Sequence, residues 1–99
     1  MSRSLILRPL AQTDLRMIWD HTATHWDSTQ AETYLHGLGQ LFTLLVDHPE
    51  IARERRDFRP PVRLHPYQSH LVIFTDTDLT LEVIRVVHNR SNWADLFSD

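Results

Sequence analysis

The chain has 99 residues, of which 41% are hydrophobic and 23% are charged, and its formal net charge is −3 with neutral histidines. This length allows one domain with a modest core, and the acidic balance argues against a general nucleic-acid binder, since such proteins are usually basic. With no cysteine, the chain has no disulfide framework and no thiolate site. No apolar run suits a membrane span or a signal peptide, so we expect one cytoplasmic domain over residues 1–99.

The first half of the chain predicts a strand and two helices. Residues 4–8 form a short apolar run, which predicts a strand, and Pro9 suits the first turn of the helix that follows. Apolar residues then recur at steps of three and four, which predicts one helix over about residues 10–25 and a second from an N-cap at Asp27 to about Val46. The short connection makes the two helices an antiparallel hairpin.

The second half predicts a small sheet. An arginine-rich connection over residues 50–61 ends in two prolines, and residues 89–99 form a polar tail. Strands are expected near residues 62–66, 69–75 and 80–88, with a turn at residues 76–78. The predicted architecture is β-α-α-β-β-β, an α+β fold in which the helical hairpin packs on one face of a small, mostly antiparallel sheet.

Both glycines of the chain, Gly37 and Gly39, lie inside the second predicted helix. Each costs about 1 kcal/mol relative to alanine in a helix interior. Tight packing within the domain or plain tolerance explains them best, and a partner helix that crosses there is the alternative.

The basic residues are all arginines, and half of them fall in one short window. The members of this arginine window are Arg53, Arg55, Arg56, Arg59 and Arg63. Arginine binds carboxylates and phosphates with two parallel N–H donors. The window therefore predicts a local anion-binding face, with codon bias as an alternative explanation for the absence of lysine.

Metal chemistry has little support in the pattern. His21 and His25 are four residues apart on the first helix and could share a metal ion. The segment between them lacks the glutamate of the zinc-protease motif, and no spacing implies a third ligand. We therefore expect no metal and no other cofactor.

Acid–base cleavage of RNA without a metal is the remaining enzymatic option. It needs a base, an acid and cations that stabilise the transition state. Arg63, His70, Arg85 and His88 could supply these groups from neighbouring strands.

Strand alternation argues against that set. In a regular strand Arg85 shares a face with Val83 and Val87, whereas His88 shares the other face with Val86. The two side chains then do not converge unless a bulge intervenes. We predict instead that Arg85 packs its stem on the sheet and pairs its head with a carboxylate or a chain end.

One set of short motifs runs along nearly the whole chain. Its residues are Leu7, Leu10, Ala11, Asp14, Leu15, Trp26, Gln30, Ala31, Tyr34, Leu38, Phe42, Leu45, Pro49, Ser69, His70, Val72, Ile73, Phe74, Ile84, Arg85, Val86 and His88. Their order and spacing resemble the ParE branch of the RelE/ParE superfamily of bacterial type II toxins. The chain departs from the usual family pattern at Ala52, where glycine is frequent, and at Thr75, where tyrosine is frequent. The ribonuclease branch usually has arginine at the position of His70 and basic and tyrosine residues after the last strand, where this chain has residues 89–93.

The resemblance implies a non-enzymatic toxin of a type II toxin–antitoxin system. Such a toxin traps the cleaved DNA complex of DNA gyrase, blocks replication and arrests growth. A ParD-like antitoxin neutralises it by folding around it in a hetero-oligomer. The antitoxin, not this chain, would make any sequence-specific contact with DNA.

Two alternatives stay open at this stage: a ribosome-dependent mRNA endonuclease of the RelE type, and a non-toxic binding module of the same fold. In the gyrase reading, arginines and aromatics are the expected contact residues, with Trp93 and Phe97 in the tail as anchors for the target. The residues expected to contact antitoxin or target are Arg53, Arg55, Arg56, Arg59, Arg63, His70, Arg85, His88, Trp93 and Phe97. No catalytic residue is expected.

Overall fold

Two α-helices and five strands form the fold in the computed structural model, which describes residues 3–97. In chain order these are β1 (Ser4–Leu7), α1 (Pro9–His25), α2 (Ser28–Asp47), β2 (Arg53–Arg55), β3 (Val62–Tyr67), β4 (His70–Asp76) and β5 (Thr80–His88), with 3-10 helices at Pro49–Ile51 and Trp93–Phe97. This arrangement confirms the predicted α+β fold. It differs from the prediction by one added strand, β2, within the segment predicted as a plain connection.

The sheet has the strand order β1-β5-β4-β3-β2, so β1 and β2 are its edges. Strand β1 runs parallel to β5, and the other neighbours are antiparallel. Strand β2 escaped prediction because its three residues are all charged, which leaves no apolar alternation to detect. Charged side chains on a short edge strand also hinder pairing with other chains.

The helix boundaries follow local chemistry, as predicted. Pro9 occupies the first turn of α1. The Asp27 side chain caps α2 by accepting a hydrogen bond of 2.7 Å from the backbone N–H of Gln30, and α2 ends shortly before Pro49. In residues 3–97, no helix is long and apolar enough to cross a membrane.

The sheet separates two apolar clusters. The larger one lies between the sheet and the helices and includes Leu38, Leu45, Phe74 and Leu81, each at most 1% exposed. The smaller one lies on the opposite face and is built on Val62, Ile73 and Val87, with Phe58, Leu64, Leu71, Ile84 and Trp93 packed against it. Neighbouring residues of β4 alternate between the two clusters, which is the period of a strand covered on both faces.

A β-bulge in β5 corrects the predicted faces of that strand. Ile73 of β4 pairs with Arg85, but the next residue, Phe74, pairs with Val83, so one extra residue of β5 lies between them. One extra residue reverses the alternation of everything that follows. Val86 accordingly packs in the larger cluster with Val83, and Val87 packs in the smaller one. The prediction that Val83 and Val87 share a face was therefore wrong.

The two glycines of α2 have different surroundings. A Cβ atom at Gly37 would overlap the phenolic oxygen of Tyr67, which donates a 3.0 Å hydrogen bond to the Tyr34 carbonyl. A Cβ atom at Gly39 would meet nothing within 4 Å. Close packing within the domain thus accounts for Gly37, whereas no contact within the domain requires glycine at Gly39.

We predict opposite effects of alanine at these two positions. Gly39→Ala should raise the free energy of unfolding by up to about 1 kcal/mol, because alanine has the higher helix propensity. Gly37→Ala should lower it by about 1 kcal/mol, because the overlap with Tyr67 outweighs that gain. Urea unfolding followed by circular dichroism measures both. Equal stabilisation by the two alanines would show that Tyr67 does not constrain α2.

Candidate functional site

Asp14 of α1 binds Arg85, the arginine that follows the bulge in β5. Arg85 donates two hydrogen bonds to Asp14, from Nε to Oδ2 at 2.7 Å and from Nη2 to Oδ1 at 3.0 Å. The backbone N–H of Val86 donates a third, of 2.9 Å, to Oδ2. The carboxylate bond raises the pKa of Arg85. The predicted pairing of this arginine with a carboxylate is confirmed.

Two histidines meet on the helix side of the sheet. His70 of β4 and His88 of β5 lie directly opposite each other, and their ring centroids are 5.6 Å apart in an edge-to-face arrangement. Together with His21 of α1 and Tyr34 of α2 they line a cavity of about 270 Å³, which we call the histidine pocket. An adjoining cavity of about 250 Å³ shares these three histidines and also reaches Asp14.

Sequence reasoning missed His21 and Tyr34 as members of this pocket. In the sequence, His21 is linked only to His25, because both lie on one helix. The two rings do stack, with centroids 4.0 Å apart. The packing of α1 against β5 brings His21 to His70 and His88, and the spacing of residues along the chain does not indicate that contact.

Each of the two imidazoles has a hydrogen-bond partner at Nδ1. The Tyr34 hydroxyl lies 2.7 Å from Nδ1 of His70, and the backbone N–H of Arg90 donates a 3.1 Å bond to Nδ1 of His88. Burial, followed by the neighbouring His88 and His21, lowers the pKa of His70. Burial likewise raises the pKa of Tyr34. At neutral pH the pocket therefore holds a neutral His70 beside a protonated phenol.

The histidine-rich region shows no cluster of metal ligands within residues 3–97. Across the described part of the chain, no group of three or more histidine, cysteine, aspartate or glutamate side chains is placed to hold a metal ion. The His25 ring is instead engaged through Nδ1 with the backbone carbonyl of His21, at 2.9 Å. Arginine is also missing from the residues that line the histidine pocket and the adjoining cavity.

The arginine window is largely neutralised by its own neighbourhood. Ion pairs join Arg55 to Asp57 at 2.7 Å and Arg56 to Glu54 at 2.7 Å, and Arg63 to both Asp76 at 2.9 Å and Glu54 at 3.8 Å. Arg53 and Arg59 are exposed and have no ion pair within residues 3–97. The cationic surface available to a partner is thus narrower than five clustered arginines suggest.

Arg55 also joins the window to the C-terminal tail. Its guanidinium lies 5.3 Å from the ring centroids of both Phe58 and Trp93, and those two rings are 5.6 Å apart. Stacking of this kind adds cation–π attraction to the burial of apolar area. Trp93 therefore holds the tail against the smaller apolar cluster. The Phe97 side chain lies outside the part of the chain that the structure describes.

The predicted contact residues thus fall into separate places. The structure brings His70 together with His88, and Arg55 together with Trp93. Arg63 lies apart from the histidines, where its guanidinium binds Asp76 and the carbonyl of Ala52. The four groups considered for RNA cleavage are not assembled around one cavity. Whether any of these residues contacts a partner stays a prediction.

Comparisons with known proteins agree with one another. A family model described as "ParE toxin of type II toxin-antitoxin system, parDE" matches residues 5–93. Toxin ParE1 of Mycobacterium tuberculosis, from strains CDC 1551 / Oshkosh and ATCC 25618 / H37Rv, is 36% identical over 91 residues, which cover 91% of this chain and 93% of the relative. A solved structure described as "Chromosomal ParDE TA system from P. aeruginosa" covers 87% of this chain and 95% of its own, with a TM-score of 0.74 and 18% identity. This last likeness shows a shared fold.

We predict that Trp93 stabilises the fold whereas Trp26 does not. Trp93→Ala should lower the free energy of unfolding by about 2 kcal/mol, because it removes a half-buried ring and the cation–π contact with Arg55. Trp26→Ala should change it by less than about 0.5 kcal/mol, because that side chain is 71% exposed. Urea unfolding measures both, and equal effects would contradict the anchoring of the tail.

Proposed function

The chain belongs to the ParE toxin family of type II toxin–antitoxin systems, and on that basis we propose that it poisons DNA gyrase. In this account the toxin binds gyrase on DNA, traps the cleaved complex and blocks replication without catalysing a reaction itself. A ParD-type antitoxin neutralises it in a hetero-oligomer. Toxin, antitoxin and target all meet in the cytoplasm.

The non-enzymatic interpretation rests on one observation: the strand arginines Arg63 and Arg85 both bind carboxylates. RNA cleavage without a metal needs cations that are free to stabilise the charge of the transition state. Here Arg85 is bound by Asp14 through two hydrogen bonds, and Arg63 is bound by Asp76 and by a backbone carbonyl. Both guanidinium groups therefore support the fold, and neither lines the histidine pocket.

One observation favours the ribonuclease alternative. His70 and His88 lie close enough to act as a general acid and a general base on one substrate. Because no arginine lines their pocket, the charge that develops on a phosphate during cleavage would stay uncompensated. We therefore place the ribonuclease second, and the non-toxic binding module of the same fold third.

Two surfaces suit the proposed partners. Arg53 and Arg59, which are exposed, remain available for an acidic, disordered antitoxin segment. The stacked Arg55, Phe58 and Trp93 form a rigid aromatic and cationic patch at the start of the tail. Trp and Arg are frequent hot-spot residues in protein interfaces, so we propose this patch as a contact for the target.

We predict that the purified protein inhibits supercoiling of relaxed plasmid by DNA gyrase and increases the yield of linear, gyrase-cleaved DNA. An agarose-gel supercoiling assay measures both products. Normal supercoiling with no cleaved DNA would contradict the proposal. Transcripts cleaved at ribosomes in the same cells would then favour the ribonuclease, and overexpression without growth arrest would favour the binding module.

The antitoxin arm of the assay uses matched arginine variants. A ParD-type antitoxin should restore supercoiling, and the change Arg53→Ser should raise the amount of antitoxin required. The control is Arg16→Ser, because Arg16 is equally exposed but lies on α1, away from the window. If both variants required the same increase in antitoxin, the effect would come from net charge in general and not from the arginine window.

A further inference from the structure

The histidine pocket holds two imidazoles, and the Nδ1 atom of each has a hydrogen-bond partner. The backbone N–H of Arg90 can only donate, so Nδ1 of His88 must accept. The Tyr34 hydroxyl lies 2.7 Å from Nδ1 of His70 but 3.4 Å from its other acceptor, the carbonyl of Tyr67. On the shorter of the two distances we assign the hydroxyl proton of Tyr34 to the bond with His70, which makes Nδ1 of His70 an acceptor as well.

A neutral imidazole that accepts at Nδ1 carries its hydrogen on Nε2. His70 and His88 both line the histidine pocket, and the hydrogen bonds that hold their rings within residues 3–97 are at Nδ1. This assignment leaves each ring an Nε2–H donor beside the pocket. We propose that this pair of N–H donors binds the carboxylate of an aspartate or glutamate from a partner protein. This rests on the proposed function only for the partner's identity, which would be the antitoxin; the donor pair does not depend on it.

The surroundings of the pair favour a carboxylate on an apolar peptide segment. Two exposed apolar side chains line these cavities: Trp26, 71% exposed, lines the histidine pocket, and Met17, 64% exposed, lines the adjoining cavity. The nearby Asp14 does not repel a ligand strongly, because Arg85 and the N–H of Val86 already bind its oxygens. A nucleic-acid phosphate would instead call for Arg or Lys around the pocket, and these residues do not line it.

The charge balance of the pocket gives the proposal a definite pH dependence. The titratable groups that face His70 are Asp14 and His21 on α1, Tyr34 on α2, Tyr67 on β3 and His88 on β5. In the free protein the pKa of His70 is lowered by burial and by the other two histidines. A bound carboxylate stabilises the protonated ring, so its affinity rises as the pH falls through the pKa of the imidazole.

Nitrogen-15 NMR of the full chain with labelled histidines tests the proposal, with acetate as the probe and acetamide as the neutral control of equal size. At pH 8 both rings should show the Nε2–H tautomer. Acetate should shift the Nε2 resonances of His70 and His88 saturably, and more tightly at pH 6 than at pH 8, whereas acetamide should not. His36, exposed on α2, is the internal reference.

A matched pair of tyrosine variants separates positioning from general stability. Tyr34→Phe removes the hydroxyl that orients His70. The ring then spends less time in the orientation and tautomer that present Nε2–H, so the affinity for acetate should fall at least about twofold. Tyr67→Phe also removes one hydroxyl, but that group binds the Tyr34 carbonyl and not the imidazole, so the acetate affinity should be unchanged.

Three outcomes would overturn the proposal. The first is an Nδ1–H tautomer at both rings, and the second is an acetate shift no larger than that of His36. The third is tighter binding of dimethyl phosphate than of acetate, which would point to a nucleic-acid ligand. Because none of these measurements involves gyrase or antitoxin, their failure is distinguishable from failure of the proposed function.

Discussion

The buried carboxylate of Asp14 is the point at which helix and sheet are joined. It lies in α1, is only 8% exposed, and accepts bonds from the Arg85 side chain and from the Val86 backbone. A buried charge is tolerated only when it is paired and fully hydrogen-bonded. Because these partners directly follow the bulge in β5, Asp14 satisfies the backbone where the regular strand geometry is interrupted.

The bulge determines which face of the sheet the last residues of β5 occupy. After the extra residue, Val86 faces the helices, and His88 follows opposite His70, where both rings line the histidine pocket. One local irregularity thus produces both features that decide the functional interpretation. It brings Arg85 to Asp14, and it places His88 beside His70 in a pocket whose lining includes no arginine. Under the proposed function this pocket is part of a binding surface.

Much of this fold could be predicted from the sequence, because apolar periodicity, Pro9 and the Asp27 cap are local signals. What could not be predicted depends on contacts between distant segments. No residue pattern around Arg85 indicates the bulge. The close approach of Gly37 to Tyr67 depends on how α2 packs against β3. The arginine window shows the same limit. Its clustering was visible, but how far nearby carboxylates neutralise it depends on pairing geometry.

The central claim is that Asp14 and Arg85 act as one structural unit across the bulge. A double-mutant cycle tests it directly, with Asp14→Asn, Arg85→Gln and the double variant compared by urea unfolding. The account predicts a coupling free energy of about 2 kcal/mol, within the usual range for residues in one hydrogen-bonded network. Additive effects, with coupling below about 0.5 kcal/mol, would show that the helix and the sheet are held together by other contacts.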